Sequence, residues 1–151
     1  MRRKCPGLKH TTEALNVRDQ ESGFRVQERQ KKDRGYDMEL VVYEKAYALS
    51  LEMHKLSLSF PKIEQYELAS QLRRATKSIA LNIAEGDAKR SSKAEFRRYL
   101  LIAYGSSREV KVQLRYSKDL EYITEAEYLY FIEKYDEVGK MLYSLANKQL
   151  K

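Results

Sequence analysis

The sequence predicts an all-α protein: an antiparallel up-down-up-down four-helix bundle preceded by a disordered basic N-terminal tail. Three observations predict it. Gly (6) and Pro (2) are scarce in 151 residues, Trp is absent and 34 % of residues are charged, a mix that favours helix over sheet. Apolar residues recur at steps of three and four through four successive stretches. Short connections join those stretches, which makes consecutive helices antiparallel. A chain of this length forms one domain and buries a core without disulfides or metal.

Residues 1–35 read as the tail. Its segment RVQERQKKDRG is almost wholly polar, and such a composition cannot offset the entropy of ordering. The bundle is expected over 36–151. The first helix covers about 38–60, with Val42, Ala46, Leu49, Met53, Leu56 and Phe60 on one face, and Pro61 ends it. The second runs over about 63–85 on Leu68, Leu72, Ala75, Ile79 and Ile83, with Gly86 just past its end. The third opens at Ser92 and Glu95, which have capping-box spacing, and carries Phe96, Leu100, Ala103, Ser107, Val110, Leu114 and Ser117. The fourth opens at Thr124 and Glu127, a second capping box, and carries Tyr128, Phe131, Tyr135, Val138, Leu142 and Leu145.

The stretch SIALNIAEG, residues 78–86, breaks the pattern of one apolar face. Ile79 and Ile83 serve the bundle core, which leaves Ala80, Leu81 and Ala84 without an inner partner. A neighbouring subunit is the expected cover, so these three are candidate oligomer-interface residues. Asn82 and Glu85 are expected to be structural, bonding to backbone or to a facing helix, because unpartnered burial costs about 1–3 kcal/mol.

Charge is uneven along the chain. The tail holds ten Lys/Arg against five Asp/Glu. Residues 73–118 hold twelve basic and four acidic residues, whereas 119–137 hold one and seven. The folded part is therefore expected to be a dipole, with a basic face suited to a polyanion. Arg97, Tyr104, Arg108, Lys111, Arg115 and Lys118 recur at seven, four, three, four and three along the third helix. Arg98 lies beside them, Lys89, Arg90 and Lys93 lead in, and Arg73, Arg74 and Lys77 sit on the preceding helix. Together they form a candidate track for phosphates, without the means to read base sequence.

Sites of chemistry are not expected. Of the two histidines, His10 and His54, neither has a Glu three residues before it, as di-iron bundles require. No Cys-x-x-Cys or glycine-rich phosphate loop occurs, so no metal, cofactor or enzyme activity is expected. The single cysteine, Cys5, excludes an internal disulfide and fits a reducing compartment. No secretory signal is legible and no run approaches 18 apolar residues, so the expected setting is the cytoplasm, away from membranes.

The segments QLRRATKSIALNIAEG and EFRRYLLIAYGSSREVKVQL, joined by a basic loop, resemble the proteins encoded in 23S rRNA intervening sequences. The accessory proteins of diversity-generating retroelements share that fold. The likeness covers about Tyr36–Lys148, with Gln71–Arg74, Ser78-Ile79, Asn82–Gly86 and Gly105-Ser106 at matching spacing. Many members have Pro where this chain has Ala80 or Leu81. The resemblance implies a bundle that assembles into a ring, typically a pentamer, with a basic surface and affinity for RNA or DNA. It implies no enzyme activity. Partners on this reading are other copies of the chain, nucleic acid, ribosomal material or a reverse transcriptase. The rival reading is a protein-interaction scaffold.

Overall fold

Four amphipathic stripes close on one another in the computed structural model, which describes residues 38–150. Helix α1 spans Met38–Ser57, α2 Leu68–Ala88, α3 Lys93–Asp119 and α4 Glu125–Lys148, with a 3-10 turn at Lys62–Gln65 between α1 and α2. There is no strand among the described residues. The expected tail, residues 1–35, lies outside them.

Contacts between neighbouring helices run in opposite order. On α2 and α3, the Ser78 and Ser106 hydroxyls meet at 2.9 Å while Gly86 faces Phe96 and Tyr99. On α3 and α4, Lys111 pairs with Asp136, and the Tyr104 ring lies 5.5 Å from Tyr143. On α1 and α4, Lys45 pairs with Glu137, and the Tyr130 hydroxyl donates to Glu52 at 3.0 Å. Rising numbers on one helix meet falling numbers on the next, so each pair is antiparallel.

The predicted inner faces form the core. Val42, Ala46, Met53, Leu72, Ile79, Leu100, Ala103, Val110, Leu114, Val138 and Leu142 are all inaccessible to solvent. Both predicted N-caps are present, with one difference. Thr124 and Glu127 close the full capping box. Ser92 accepts from the Glu95 amide at 3.3 Å, but the Glu95 carboxylate is taken by Arg98 instead of reaching back.

Two helix ends fall elsewhere than periodicity placed them. Helix α1 stops at Ser57, short of Phe60, and α2 starts at Leu68, past residue 63. Pro61 has no N–H with which to continue α1. The Gln65 amide donates to the carbonyls of Ser57 at 2.9 Å and Phe60 at 3.0 Å, satisfying acceptors left open where the helix stops. Glu64 closes the other side, accepting from the Leu68 amide and from the Tyr122 hydroxyl.

Gly86 also differs from expectation. It lies inside α2, which continues to Ala88, and no described glycine has a positive φ. Its role is close approach. A Cβ there would sit 2.9 Å from the Tyr99 Cβ and 3.2 Å from Phe96 Cδ2. Gly139 serves the α3–α4 contact in the same way, where an added Cβ would lie 3.3 Å from the Ser107 hydroxyl. Gly105 does not, since an added Cβ would meet nothing within 4 Å. No helix among the described residues is long and apolar enough to cross a membrane.

Candidate nucleic-acid interface

The basic residues of 73–118 reach the surface unequally. Arg73 is a structural residue. Its guanidinium donates to the Ser57 hydroxyl at 3.0 Å, to Gln65 Oε1 at 3.2 Å and to the Gln65 carbonyl at 2.7 Å. It thereby ties the end of α1 and the 3-10 turn to α2. Hydrogen bonds from a charged donor contribute about 1.5–3 kcal/mol each, and such bonds are not additive. Arg73→Met is expected to lower stability by about 2 kcal/mol, read as a shifted urea midpoint at unchanged slope.

Most of the remaining cations are held by carboxylates. Within helices and their ends, Arg98 pairs with Glu95 at 3.0 Å, Arg90 with Asp87 at 2.7 Å, Lys89 with Glu85 at 3.9 Å and Arg115 with Asp119 at 3.7 Å. Across the α3–α4 seam, Lys111 pairs with Asp136, and Lys118 pairs with Glu125 at 2.8 Å. The Arg98 hydrogen bond holds the Glu95 carboxyl below its ordinary range, and the Glu125 hydrogen bond raises the Lys118 ammonium above its own. The acidic stretch thus lies along the basic one. The dipole expected from chain order is partly zipped together by antiparallel packing. Arg74, Lys77, Lys93 and Arg108 form no ion pair among the described residues. Arg97 is half-buried, with its Nε buried and without a partner there.

The seam between α3 and α4 opens into a groove with two chambers. The larger, about 530 Å³, is lined by Arg108, Lys111, Val112, Arg115, Tyr116, Asp119, Tyr128 and Ile132. The smaller, about 230 Å³, shares Arg108 and Lys111 and adds Tyr104, Ser107, Tyr135, Asp136, Gly139, Lys140 and Tyr143. Four cations and two carboxylates therefore face the groove, between tyrosines at both ends. Among the described residues no group of three His, Cys, Asp or Glu side chains stands close enough to hold a metal ion.

The SIALNIAEG stretch divides in two. Ala80 is buried in the chain's own core, so it needs no second subunit. Leu81 is 68 % exposed and Ala84 is exposed. The Asn82 amide donates to the Ser78 carbonyl at 2.7 Å and to the Ser78 hydroxyl at 3.0 Å. Glu85 accepts from the Tyr99 hydroxyl at 3.5 Å and stands near Lys89.

The comparisons with known proteins agree with this architecture. The model of the 23S rRNA-intervening sequence protein family matches residues 38–144, from the first residue of α1 into the last turns of α4. The chain belongs to that family. A similar solved structure is a protein of unknown function from the S23 ribosomal protein family of Bacteroides thetaiotaomicron. It is 25 % identical, with a TM-score of 0.67, over 73 % of this chain and 98 % of that one. No curated protein matches.

Within this intervening-sequence family bundle, the groove residues Tyr116, Ile132, Lys140 and Tyr143 are among those that the linear pattern did not single out. A signal for three of them exists. Tyr128, Ile132, Asp136, Lys140 and Tyr143 step by four, four, four and three, a second stripe on α4 beside the apolar one. The tyrosines among them resemble core residues in a linear reading, and only the opposing helix shows which face stays open.

Proposed function

We propose that this intervening-sequence family protein is a non-catalytic, self-associating protein of the cytoplasm that binds RNA or DNA through the α3–α4 groove. The observation that carries the reading is the groove itself. Arg108 and Lys140, both exposed, stand in it without ion pairs among the described residues, and Lys111 and Arg115 add two cations that a phosphate can share with Asp136 and Asp119. Contacts of this kind hold phosphates and do not read base sequence. Self-association into a ring, a pentamer in the reading the family likeness supports, is carried by Leu81 and Ala84. It brings several grooves onto one nucleic acid and raises avidity without a new contact.

The test is a double charge reversal, Arg108→Glu with Lys140→Glu. Both side chains are exposed and form no ion pair among the described residues, so the fold survives. Affinity for RNA and DNA of any sequence is expected to fall at least about tenfold at roughly 50 mM salt. The slope of log K against log salt is expected to flatten by about 0.7–0.9 per lost cation. A folded variant with unchanged affinity would refute the groove as the phosphate site. A second reading is a protein scaffold, such as a reverse-transcriptase accessory subunit. It is favoured by Ile63 and Tyr66 in the α1–α2 connection, 76 % and 85 % exposed. A single protein co-purifying after nuclease treatment, and lost with Tyr66→Ser, would favour it.

A further inference from the structure

We infer that the α3–α4 groove takes single-stranded nucleic acid in preference to duplex, with unpaired bases stacking on Tyr116 and Tyr143. The inference rests on the nucleic-acid reading above and concerns which form of the polymer fits.

The groove offers little free charge. Lys111 and Arg115 are already engaged by Asp136 and Asp119, and Arg108 and Lys140 form no ion pair among the described residues. A duplex presents phosphates outward and keeps its base faces stacked inside, so it can use only the groove's cations, free or shared. A single strand can use the aromatic faces as well, because every unpaired base has a π-face to offer.

The aromatics are placed for this. Tyr116 is 59 % exposed at one end of the groove, beside Tyr128, Val112 and Ile132. Tyr143 is 52 % exposed at the other end, its ring tilted against Tyr104 at 5.5 Å between centroids. Tyr104 and Tyr116 are twelve residues apart on α3, about 18 Å of helix. Arg108 and Lys111 lie between the two aromatic ends and line both chambers. A strand laid along the groove meets a stacking platform, then phosphate contacts, then a second platform. Exposed tyrosines fit this role better than a core role, since burying them would have removed the ring faces from reach.

The experiment is fluorescence anisotropy with the full-length protein at roughly 50 mM salt. The probes are an oligouridylate, an oligodeoxythymidylate and a mixed-sequence duplex of equal length. Both single strands are expected to bind at least about tenfold tighter than the duplex. Tyr116→Ala and Tyr143→Ala are each expected to weaken the single strands about tenfold and to leave the duplex unchanged within about twofold. Tyr116→Phe, which keeps the ring, is expected to retain wild-type affinity. Thermal melts by circular dichroism verify that each variant is folded. A preference for the uridylate over the deoxythymidylate would add a 2′-hydroxyl contact, and equal affinity would leave bases and phosphates as the whole site; both support the inference. Equal binding of strand and duplex, with folded tyrosine variants that bind as wild type, would overturn it while the phosphate reading stands on the Arg108 and Lys140 reversal. Failure of the wild-type protein to bind any probe would overturn both.

Discussion

Gly86→Val is expected to lower stability by about 3 kcal/mol, a fall in melting temperature of roughly 12 °C. The cause lies at the α2–α3 crossing. A Cβ at Gly86 would stand 2.9 Å from the Tyr99 Cβ, an atom fixed to the α3 backbone, and 3.5 Å from the Phe96 carbonyl oxygen. No rotamer change relieves that contact, so the helices must separate, and the two methyls of valine widen the gap further. Added bulk in a packed core costs about 1–3 kcal/mol, and more where backbone must move. The gain in helix propensity over glycine, well under 1 kcal/mol for valine, does not offset it. Gly105→Ala is the control. It adds a Cβ in open space on α3, so a lone bundle should gain up to about 1 kcal/mol from propensity. Thermal melts of the two variants side by side check both signs.

Leu81→Asp is expected to turn an assembled protein into folded monomers. Leu81 is 68 % exposed in the single chain, and surface substitutions shift stability by about 0.5 kcal/mol or less. The bundle therefore tolerates the carboxylate. An interface would not, because an unpaired charge shut away from water is far costlier than a lost apolar contact. The surface that would be covered continues onto α3, where Ile102 is exposed and Gly105 leaves open space. Light scattering on the wild-type protein should return a multiple of the 17.8 kDa chain, and on the variant a single chain. Nucleic-acid affinity should fall with it, about a hundredfold, because several grooves no longer act on one strand. A wild-type monomer would end the assembly proposal, and a variant that stays assembled would move the interface off Leu81.

The helices were legible because core formation leaves a periodic trace. Phe96, Leu100, Ala103, Val110 and Leu114 repeat at helical spacing, and all five are buried. The Thr124 capping box was legible for the same reason: its partners are three residues apart, and local hydrogen bonds depend on local sequence. Boundaries between α1 and α2 were not, because Gln65 reaches back five to eight residues to carbonyls that no periodic rule marks.

The candidate site divides along the same line. From the sequence alone, residues 73–118 are basic, 119–137 are acidic, and both stretches fall on amphipathic helices. What those charges do depends on how the helices pack. Antiparallel packing sets Lys111 on Asp136 and Lys118 on Glu125, turns Arg73 inward as a structural tie, and leaves Arg108 and Lys140 without an ion pair among the described residues, in a groove with exposed tyrosines. The physical reason is range. Helix propensity, capping and periodic burial act over a few residues of chain, whereas an ion pair depends on distance through space, and 25 residues separate Lys111 from Asp136 along the chain.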